Sequence, residues 1–305
     1  MSVIEVQDLT KAFGGKRVLN GLRFSVERGD VFGFLGPNGA GKTTTMRILL
    51  GLLSPTAGVA RVLGARLADN GELRKRVGVL LENNGLYDRL SAYENLEYYA
   101  GLYGVDRPGR RIEEMLEFTA LSDRSTDMVG TFSAGMKRKL GLARAIIHEP
   151  EILFLDEPTS GLDPEAQILV RELILRLSKQ ENMTVFMSSH NLDEVQRVCS
   201  RVAILQGGTI QAFDTMDNLQ ARSGLPQFEI RLADPAQLPQ ALQLLERMPQ
   251  VEKIWSADGR VLLALAPGAA SAPLLAALIG QGIGVEEARR VARTLEEIYL
   301  GVVQQ

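Results

Sequence analysis

VFGFLGPNGAGKTT, residues 31–44, places an apolar run directly ahead of a glycine-rich loop. The run predicts a buried strand, and MRILLGLL, residues 46–53, has the spacing of a helix that stops at Ser54-Pro55. In a strand, loop and helix arrangement, the N–H groups of the loop and the N-terminus of the helix face a phosphate chain. The sequence therefore predicts an α/β fold with a phosphate-binding loop at the end of a central strand.

Four positions in this loop carry the prediction of nucleotide chemistry. Gly36 and Gly41 allow the backbone to curl around phosphates, Lys42 can reach the outer phosphates, and the Thr43 hydroxyl can bind Mg²⁺. The whole loop is expected to contact the nucleotide through Gly36, Pro37, Asn38, Gly39, Ala40, Gly41, Lys42, Thr43 and Thr44.

Two acids follow a second apolar run in ILFLDEP, residues 152–158. Asp156 ends the predicted strand, where it can hold Mg²⁺, and Glu157 points the other way, where it can orient a water molecule against the terminal phosphate. The alternative is an acidic strand end that faces solvent. The phosphate loop favours the first interpretation, because a nucleotide site needs a metal to neutralise its charge.

A second helix start with the character of an anion site lies at FSAGMKRKL, residues 132–140. Ser133 and Gly135 sit at its beginning, and a helix N-terminus favours negative charge. One chain has no reason to use two such sites on one small ligand. The three basic residues after it, Lys137, Arg138 and Lys139, are interpreted as the solvated face of the helix.

Composition excludes some classes of partner. The 305 residues are 45% hydrophobic and carry a net charge of -3, so the protein can fill a core and has no overall positive field for nucleic acid. The single cysteine, Cys199, and an N-terminus without a signal segment fit a reducing cytoplasm. The uncharged stretch 261–285 contains prolines and glycines that exclude a transmembrane helix.

Alternating strands and helices predict a mainly parallel sheet over residues 1–221, with a helical subdomain at about 86–145 in which Ser91 and Glu94 are expected to form a capping box. Residues 222–305 read as βαββαβ and a last helix, which predicts a small α+β ferredoxin-like domain. In it we expect a hairpin turn at Asp258-Gly259, a capping box of Thr294 and Glu297, and Trp255 in the core. Its role is expected to be accessory or regulatory.

The chain resembles the ATP-binding subunits of ATP-binding cassette (ABC) transporters over roughly residues 1–220. Several motifs stand in the family's order. GPNGAGKTT is its Walker A loop, ILFLDEP its Walker B motif, FSAGM its signature and SGLD, residues 160–163, its D-loop. His190 in MSSH matches the switch histidine, and Phe13 falls where the family places an aromatic ring against adenine.

This resemblance implies an ATPase that uses ATP and Mg²⁺, with Lys42, Glu157 and His190 as catalytic residues. Two such subunits pair head to tail in the family, so Ser133 and Gly135 would close on ATP held by the partner, with Asp163 nearby. The pair would be a homodimer or would include a related cassette. Thr43 and Asp156 would hold the metal. Glu82 stands where the family has a metal-approaching glutamine, and a shifted register would place Asn83 there.

The implied role is to power a separately encoded membrane permease, with export favoured, from the cytoplasmic face of the membrane. The segment Leu86–Leu90 would be the docking surface for that permease. A soluble cassette ATPase that acts on ribosomes or nucleic acid is the alternative, although those relatives usually carry two cassettes or long insertions. A GTPase or small kinase would share the phosphate loop but would not explain FSAGM or SGLD. The transported substrate is not encoded in this chain.

Overall fold

The computed structural model describes residues 2–222, 227–257, 259–266, 269–291, 295–296 and 298–299 of the protein. The chain forms two units, Met1–Met216 and Asp217–Gln305. The expected capping box of Thr294 and Glu297 lies outside the described residues, as does Asp258 of the expected hairpin turn.

In the described part of the first unit, nine strands form two sheets. The strands are β1 (Ser2–Phe13), β2 (Lys16–Glu27), β3 (Val31–Leu35), β4 (Ala57–Val62), β5 (Val77–Leu80), β6 (Ile152–Asp156), β7 (Thr184–Ser189), β8 (Arg201–Gln206) and β9 (Thr209–Thr215). The larger sheet has the order β5-β6-β7-β3-β8-β9, in which only β9 runs antiparallel to its neighbour. The smaller sheet, β2-β1-β4, is antiparallel. The predicted mainly parallel sheet is confirmed.

Phenylalanine side chains fill the space between the two sheets. Phe32 and Phe34 of β3, Phe154 of β6 and Phe186 of β7 are completely buried. Phe24 of the smaller sheet stacks on Phe32, with ring centroids 5.6 Å apart. Because burial of one such side chain contributes roughly 1.5–3 kcal/mol, the cluster fixes β3 firmly at the base of the glycine loop.

Eight α-helices are described up to residue 222. They are α1 (Lys42–Leu49), α2 (Gly71–Arg74), α3 (Ala92–Tyr103), α4 (Pro108–Phe118), α5 (Ala134–Ile146), α6 (Pro164–Glu181), α7 (Leu192–Val198) and α8 (Met216–Arg222). Helix α7 packs closely on β3, since a Cβ atom added to Gly33 would lie 2.8 Å from both Val195 and Cys199. The predicted capping box of Ser91 and Glu94 is present at the start of α3.

The second unit contains the predicted βαββαβ order. Its elements are β10 (Gln227–Leu232), α9 (Leu238–Glu246), β11 (Val251–Ala257), β12 (Arg260–Leu265), α10 (Ala272–Gly280) and β13 (Val285–Val291). The sheet is antiparallel in the order β11-β12-β10-β13. Its core joins the buried side chains of the strands, such as Phe228 and Leu263, to Leu245 of α9 and Leu274 of α10.

The predicted core position of Trp255 is wrong. Ile254 packs against the core of the second unit and lies opposite Leu263, whereas Trp255, one residue later in β11, lies opposite Leu262 and is 36% exposed. Successive residues of a strand face opposite sides, so only one of two adjacent apolar side chains can enter the core.

In the described part of the chain, no helix is long and apolar enough to span a membrane. The uncharged stretch 261–285 is divided among β12, α10 and the first residue of β13, as its prolines and glycines predict.

Candidate nucleotide-binding site

The glycine loop lies between β3 and α1, and two of its glycines have a steric requirement. Gly41 has a φ of 111°, in the left-handed region that other residues avoid. A Cβ atom on Gly36 would lie 2.4 Å from the carbonyl oxygen of Leu205. The Gly36 N–H also donates to the Ser189 carbonyl of β7 at 3.4 Å, which anchors the loop to the sheet.

Lys42, the first residue of α1, turns back over this loop. Its side chain is only 6% exposed, and Nζ donates to the Gly36 carbonyl at 2.6 Å. Nζ also lies 3.3 Å from Oε1 of Glu157. The ammonium group is therefore held between the glycine loop and the acidic end of β6.

Asp156 ends β6 as a buried carboxylate. Its Oδ1 accepts a hydrogen bond from the Ser188 hydroxyl of the neighbouring strand β7. The same hydroxyl accepts a bond from the Glu157 N–H at 3.3 Å. Ser188 therefore fixes both acids of the motif, and sequence reasoning missed it because it belongs to a strand far along the chain.

Glu157 has an unusual backbone conformation, with a φ of 48°. Such a conformation is rare for residues other than glycine and is kept only where the surroundings enforce it. Its Oε2 lies 2.8 Å from Nδ1 of His190, a side chain that is half exposed. An ionised carboxylate can only accept, so Nδ1–H is the donor and Nε2 is left for another partner.

These groups border a cleft of about 450 Å³. The cleft is lined by the predicted residues Pro37, Asn38, Gly39, Gly41, Lys42, Thr43, Thr44, Glu82, Asp156, Glu157 and His190, together with Val18 and Ser160. The loop and both acids come together because β6, β7 and β3 are neighbours and end at the same edge of the sheet. Glu82 lines the cleft and Asn83 is not among its described lining residues, and the choice of Glu82 as the metal-approaching residue stays a prediction.

Three predicted residues lie outside this cleft at helix starts. Ser133 is exposed and caps α5 by accepting a hydrogen bond from the Met136 N–H at 3.2 Å. Gly135 allows α5 to approach α6, because a Cβ atom there would lie 2.8 Å from Cβ of Ala166. Asp163 caps α6 by accepting from the Ala166 N–H at 2.9 Å. The two helix starts are thus packed side by side and their caps face solvent.

Phe13 also lies outside the lining of the cleft. Its ring is 48% exposed, and Nζ of Lys11 lies 4.9 Å from the ring centroid. Its proposed contact with adenine stays a prediction.

The interpretation of Arg138 as part of a solvated face is wrong. Its side chain is 4% exposed, and it donates to the carbonyls of Leu81 and Glu157. Burial lowers the pKa of Arg138, while the carboxylates of Asp156, Glu82 and Glu194 act in the opposite direction. Three consecutive basic residues gave no signal that the middle one is buried.

Glu194 is a second buried acid that sequence reasoning missed. Its carboxylate accepts hydrogen bonds from the hydroxyls of Thr159 at 2.8 Å and Ser189 at 2.7 Å. Burial raises the pKa of Glu194, and the two hydroxyls limit that rise. Because Thr159 follows Asp156 and Glu157 and Ser189 precedes His190, this carboxylate connects the two segments that carry these cleft residues.

Comparisons with known proteins show which family and which structures the chain is similar to. A family described as ABC transporter matches residues 19–160. The bacitracin transport ATP-binding protein BcrA of Bacillus licheniformis is 42% identical over 234 residues, 76% of each chain. The ABC transporter ATP-binding protein YcbN of Bacillus subtilis (strain 168) is 31% identical over 302 residues, 99% of this chain and 97% of the relative. A solved ATP-binding subunit of an ABC transporter has a TM-score of 0.65 and 33% identity, over 72% of this chain and 92% of its own.

Proposed function

The chain belongs to the ABC transporter family, and from this premise we propose that two copies enclose ATP between them and power export through a separate membrane permease. As an ATP-binding subunit of this family, it binds ATP and hydrolyses it to drive transport. The observation that carries the assignment of hydrolysis is the position of Glu157 between Lys42, at 3.3 Å, and His190, at 2.8 Å.

ATP binding is assigned to the glycine loop and the start of α1. The loop N–H groups and the N-terminus of α1 would contact the phosphates, and Lys42 would neutralise the outermost of them. Val18 lines the same cleft from β2.

The residues of the cleft fit Mg²⁺. Thr43 and Asp156 offer a hydroxyl and a carboxylate, which are hard oxygen ligands, and Glu82 is a third oxygen donor on the cleft wall. In the described part of the chain, no group of three acids, histidines or cysteines could hold a metal without help. Mg²⁺ commonly binds through one or two carboxylates together with substrate phosphates and waters. When bound, it would neutralise the charge of the transferred phosphoryl group.

Catalysis is assigned to charge neutralisation and positioning. Glu157 would hold the attacking water in line with the terminal phosphate, and His190 would fix the Glu157 carboxylate through Nδ1–H. Lys42 would stabilise charge on the phosphate oxygens.

The signature helix supports the dimer. Ser133 and Gly135 lie outside the cleft of their own chain, and Ser133 is exposed at the start of α5. A helix start that faces solvent can bind the phosphates of ATP on a partner chain, with Asp163 beside it. In a homodimer, each chain would supply its signature helix to the ATP held by the other. A related cassette could replace one copy.

The membrane partner is expected to dock beside Glu82, on the segment 86–90. Tyr87 in this segment and Tyr98 of α3 are 45% and 48% exposed, and their rings meet edge to face at 5.1 Å. Buried Asn95 holds the segment by hydrogen bonds to both the N–H and the carbonyl of Tyr87. Docking there would place the subunit on the cytoplasmic face of the membrane, and the second unit would have an accessory or regulatory role.

The test is the variant Glu157→Gln, which keeps the size of the side chain and removes its charge. We expect it to bind MgATP, to lose at least about 100-fold in turnover, and to become dimeric with saturating MgATP. Turnover, nucleotide affinity and mass would be measured on the same preparation. Rapid hydrolysis by Glu157→Gln would overturn the role of Glu157, and a persistent monomer of folded, ATP-bound variant would count against the homodimer.

A further inference from the structure

Arg138 joins three segments of the chain that are distant in sequence. From α5, its Nη1 donates to the Leu81 carbonyl at 2.9 Å and to Oδ1 of Asn84 at 3.1 Å. Its Nη2 donates to the Glu157 carbonyl at 3.1 Å. The signature helix, the loop after β5 and the Walker B motif therefore meet at one buried guanidinium.

The bond to Glu157 acts on the residue whose backbone is strained. Glu157 has a φ of 48°, so its peptide needs partners that hold it there. Its N–H donates to the Ser188 carbonyl at 3.1 Å, and its carbonyl accepts from Arg138. Together the two bonds fix the peptide groups on either side of the Glu157 Cα atom, and these set the direction of the carboxylate.

The bonds to Leu81 and Asn84 act on the loop that supplies Glu82 to the cleft. Arg144 supports the same loop from α5, since its Nη2 donates to the Asn84 carbonyl at 2.9 Å. The Arg138 guanidinium is thus a rigid connection between this loop and Glu157. A buried charge is costly unless it is hydrogen-bonded, and here the three bonds of Arg138 are divided between two parts of one site.

We propose that Arg138 is a positioning residue for hydrolysis, which holds Glu157 in register with the loop at residues 81–84. This inference rests on the proposed role of Glu157. Arg138 acts through the Glu157 backbone and not on ATP itself, so its loss lowers the rate of hydrolysis more than the affinity for nucleotide. Lysine cannot replace it, because one ammonium group lacks the planar fork that reaches acceptors on both sides.

The experiment compares Arg138→Lys with Arg111→Lys in the full-length protein. Arg111 is a matched control, since it also donates to two backbone carbonyls, those of Ile146 at 3.1 Å and Ile147 at 3.2 Å, away from the cleft. We expect Arg138→Lys to lower kcat by about 10- to 100-fold with KM for ATP changed less than about threefold. Arg111→Lys should keep the wild-type kcat at a similar loss of Tm.

A second variant, Asn84→Ala, tests the same connection from the side of the loop at residues 81–84. Asn84→Ala removes one acceptor of Arg138 and leaves the bond to Glu157, so it should lower kcat by about two- to fivefold. If Arg138→Lys does not fold, the kcat of Asn84→Ala tests the positioning role of Arg138 instead. A wild-type kcat in folded Arg138→Lys, or in Asn84→Ala when the first variant is unfolded, would overturn the inference, as would equal loss of kcat in Arg111→Lys.

Glu157→Gln separates this inference from the proposed function. If Glu157→Gln still hydrolyses ATP, the role of Glu157 fails and the inference fails with it. If Glu157→Gln is inactive while Arg138→Lys keeps its kcat, only the positioning role of Arg138 is wrong. In the Glu157→Gln background, Arg138→Lys should leave MgATP-dependent dimerisation unchanged.

Discussion

Nζ of Lys42 and Oε1 of Glu157 lie 3.3 Å apart, one at the end of the glycine loop and the other after β6. The Lys42 side chain is 6% exposed and that of Glu157 is 19% exposed. Each charge compensates the other, and the removal of one partner leaves the other poorly solvated. The pair therefore links Lys42, assigned to the outermost phosphate of ATP, with Glu157, assigned to the attacking water.

The Lys42→Met variant tests the first member of this pair. Loss of the ammonium group removes the charge expected to face the outermost phosphate, so ATP affinity and turnover should fall together, with kcat/KM lower by at least about 100-fold. Nucleotide titration and steady-state kinetics measure both. Wild-type ATP affinity in this variant would show that Lys42 does not bind the phosphate.

In the proposed dimer, each ATP site combines the glycine loop of one chain with the signature helix of the other. Two inactive variants should therefore recover activity when they are mixed. The Lys42→Met variant has a defective glycine loop, and the Ser133→Arg variant has a defective signature helix. Each variant alone should therefore be inactive. In a mixed dimer, one loop and one signature helix remain intact and face each other. An equal mixture should recover roughly a quarter of the wild-type rate, because half of the random dimers are mixed and each has one intact site.

The control for this mixture is two preparations of Lys42→Met, differing only in their affinity tags. Mixing them should recover no activity, because every glycine loop in the mixture lacks Lys42. If Lys42→Met mixed with Ser133→Arg stays inactive although mixed dimers are recovered, each site must be complete within one chain or both sites must be intact for turnover.

Glu82 makes a prediction about metal dependence. Glu82→Gln keeps an oxygen ligand at the cleft, whereas Glu82→Ala removes it. The Mg²⁺ concentration for half-maximal ATPase activity should rise several-fold in the alanine variant and change by less than about twofold in the glutamine variant. Identical Mg²⁺ titrations for both variants and the wild type would remove Glu82 from the metal site.

His148 makes a prediction about acid stability. Burial lowers its pKa to about 4, and its ring stacks on Tyr103 with centroids 3.8 Å apart. A base whose folded pKa lies below its unfolded value of about 6.5 loses stability as pH falls from that value through the folded pKa. His148→Phe keeps the stacking and removes the titration, so its free energy of unfolding should lose about 1–3 kcal/mol less than the wild type between pH 7 and pH 4. Parallel pH profiles would contradict this explanation.

The sequence predicted the parts of the site that are local in the chain. The glycine loop, Lys42 and the pair Asp156 and Glu157 each follow a buried strand, and an apolar run followed by such residues is visible without any tertiary information. The parallel order of strands then brings these segments to one edge of the sheet. Both the fold class and most of the cleft could therefore be predicted.

The residues that were missed depend on contacts between distant segments. Arg138 is buried and donates to the carbonyls of Leu81 and Glu157. Nothing in the sequence KRK, residues 137–139, distinguishes it from its neighbours. The position of Trp255 depends on the register of β11 against β12, which two adjacent apolar residues do not reveal. The periodicity of apolar residues predicts a helix or a strand. The burial of these two side chains depends instead on which residues a neighbouring element places opposite them.

The pairing of β3 also bears on how the protein is made. Val31 in β3 pairs with Val185 in β7, and Phe32 pairs with Arg201 in β8, so the strand that leads into the glycine loop has both its neighbours in the later part of the cassette. A ribosome must therefore synthesise most of this unit before the strand can be enclosed, and such long-range parallel pairing is slow. Nascent chains that stop before residue 184 should be unable to retain ATP, and β3, with its four apolar side chains exposed, would depend on chaperones during synthesis.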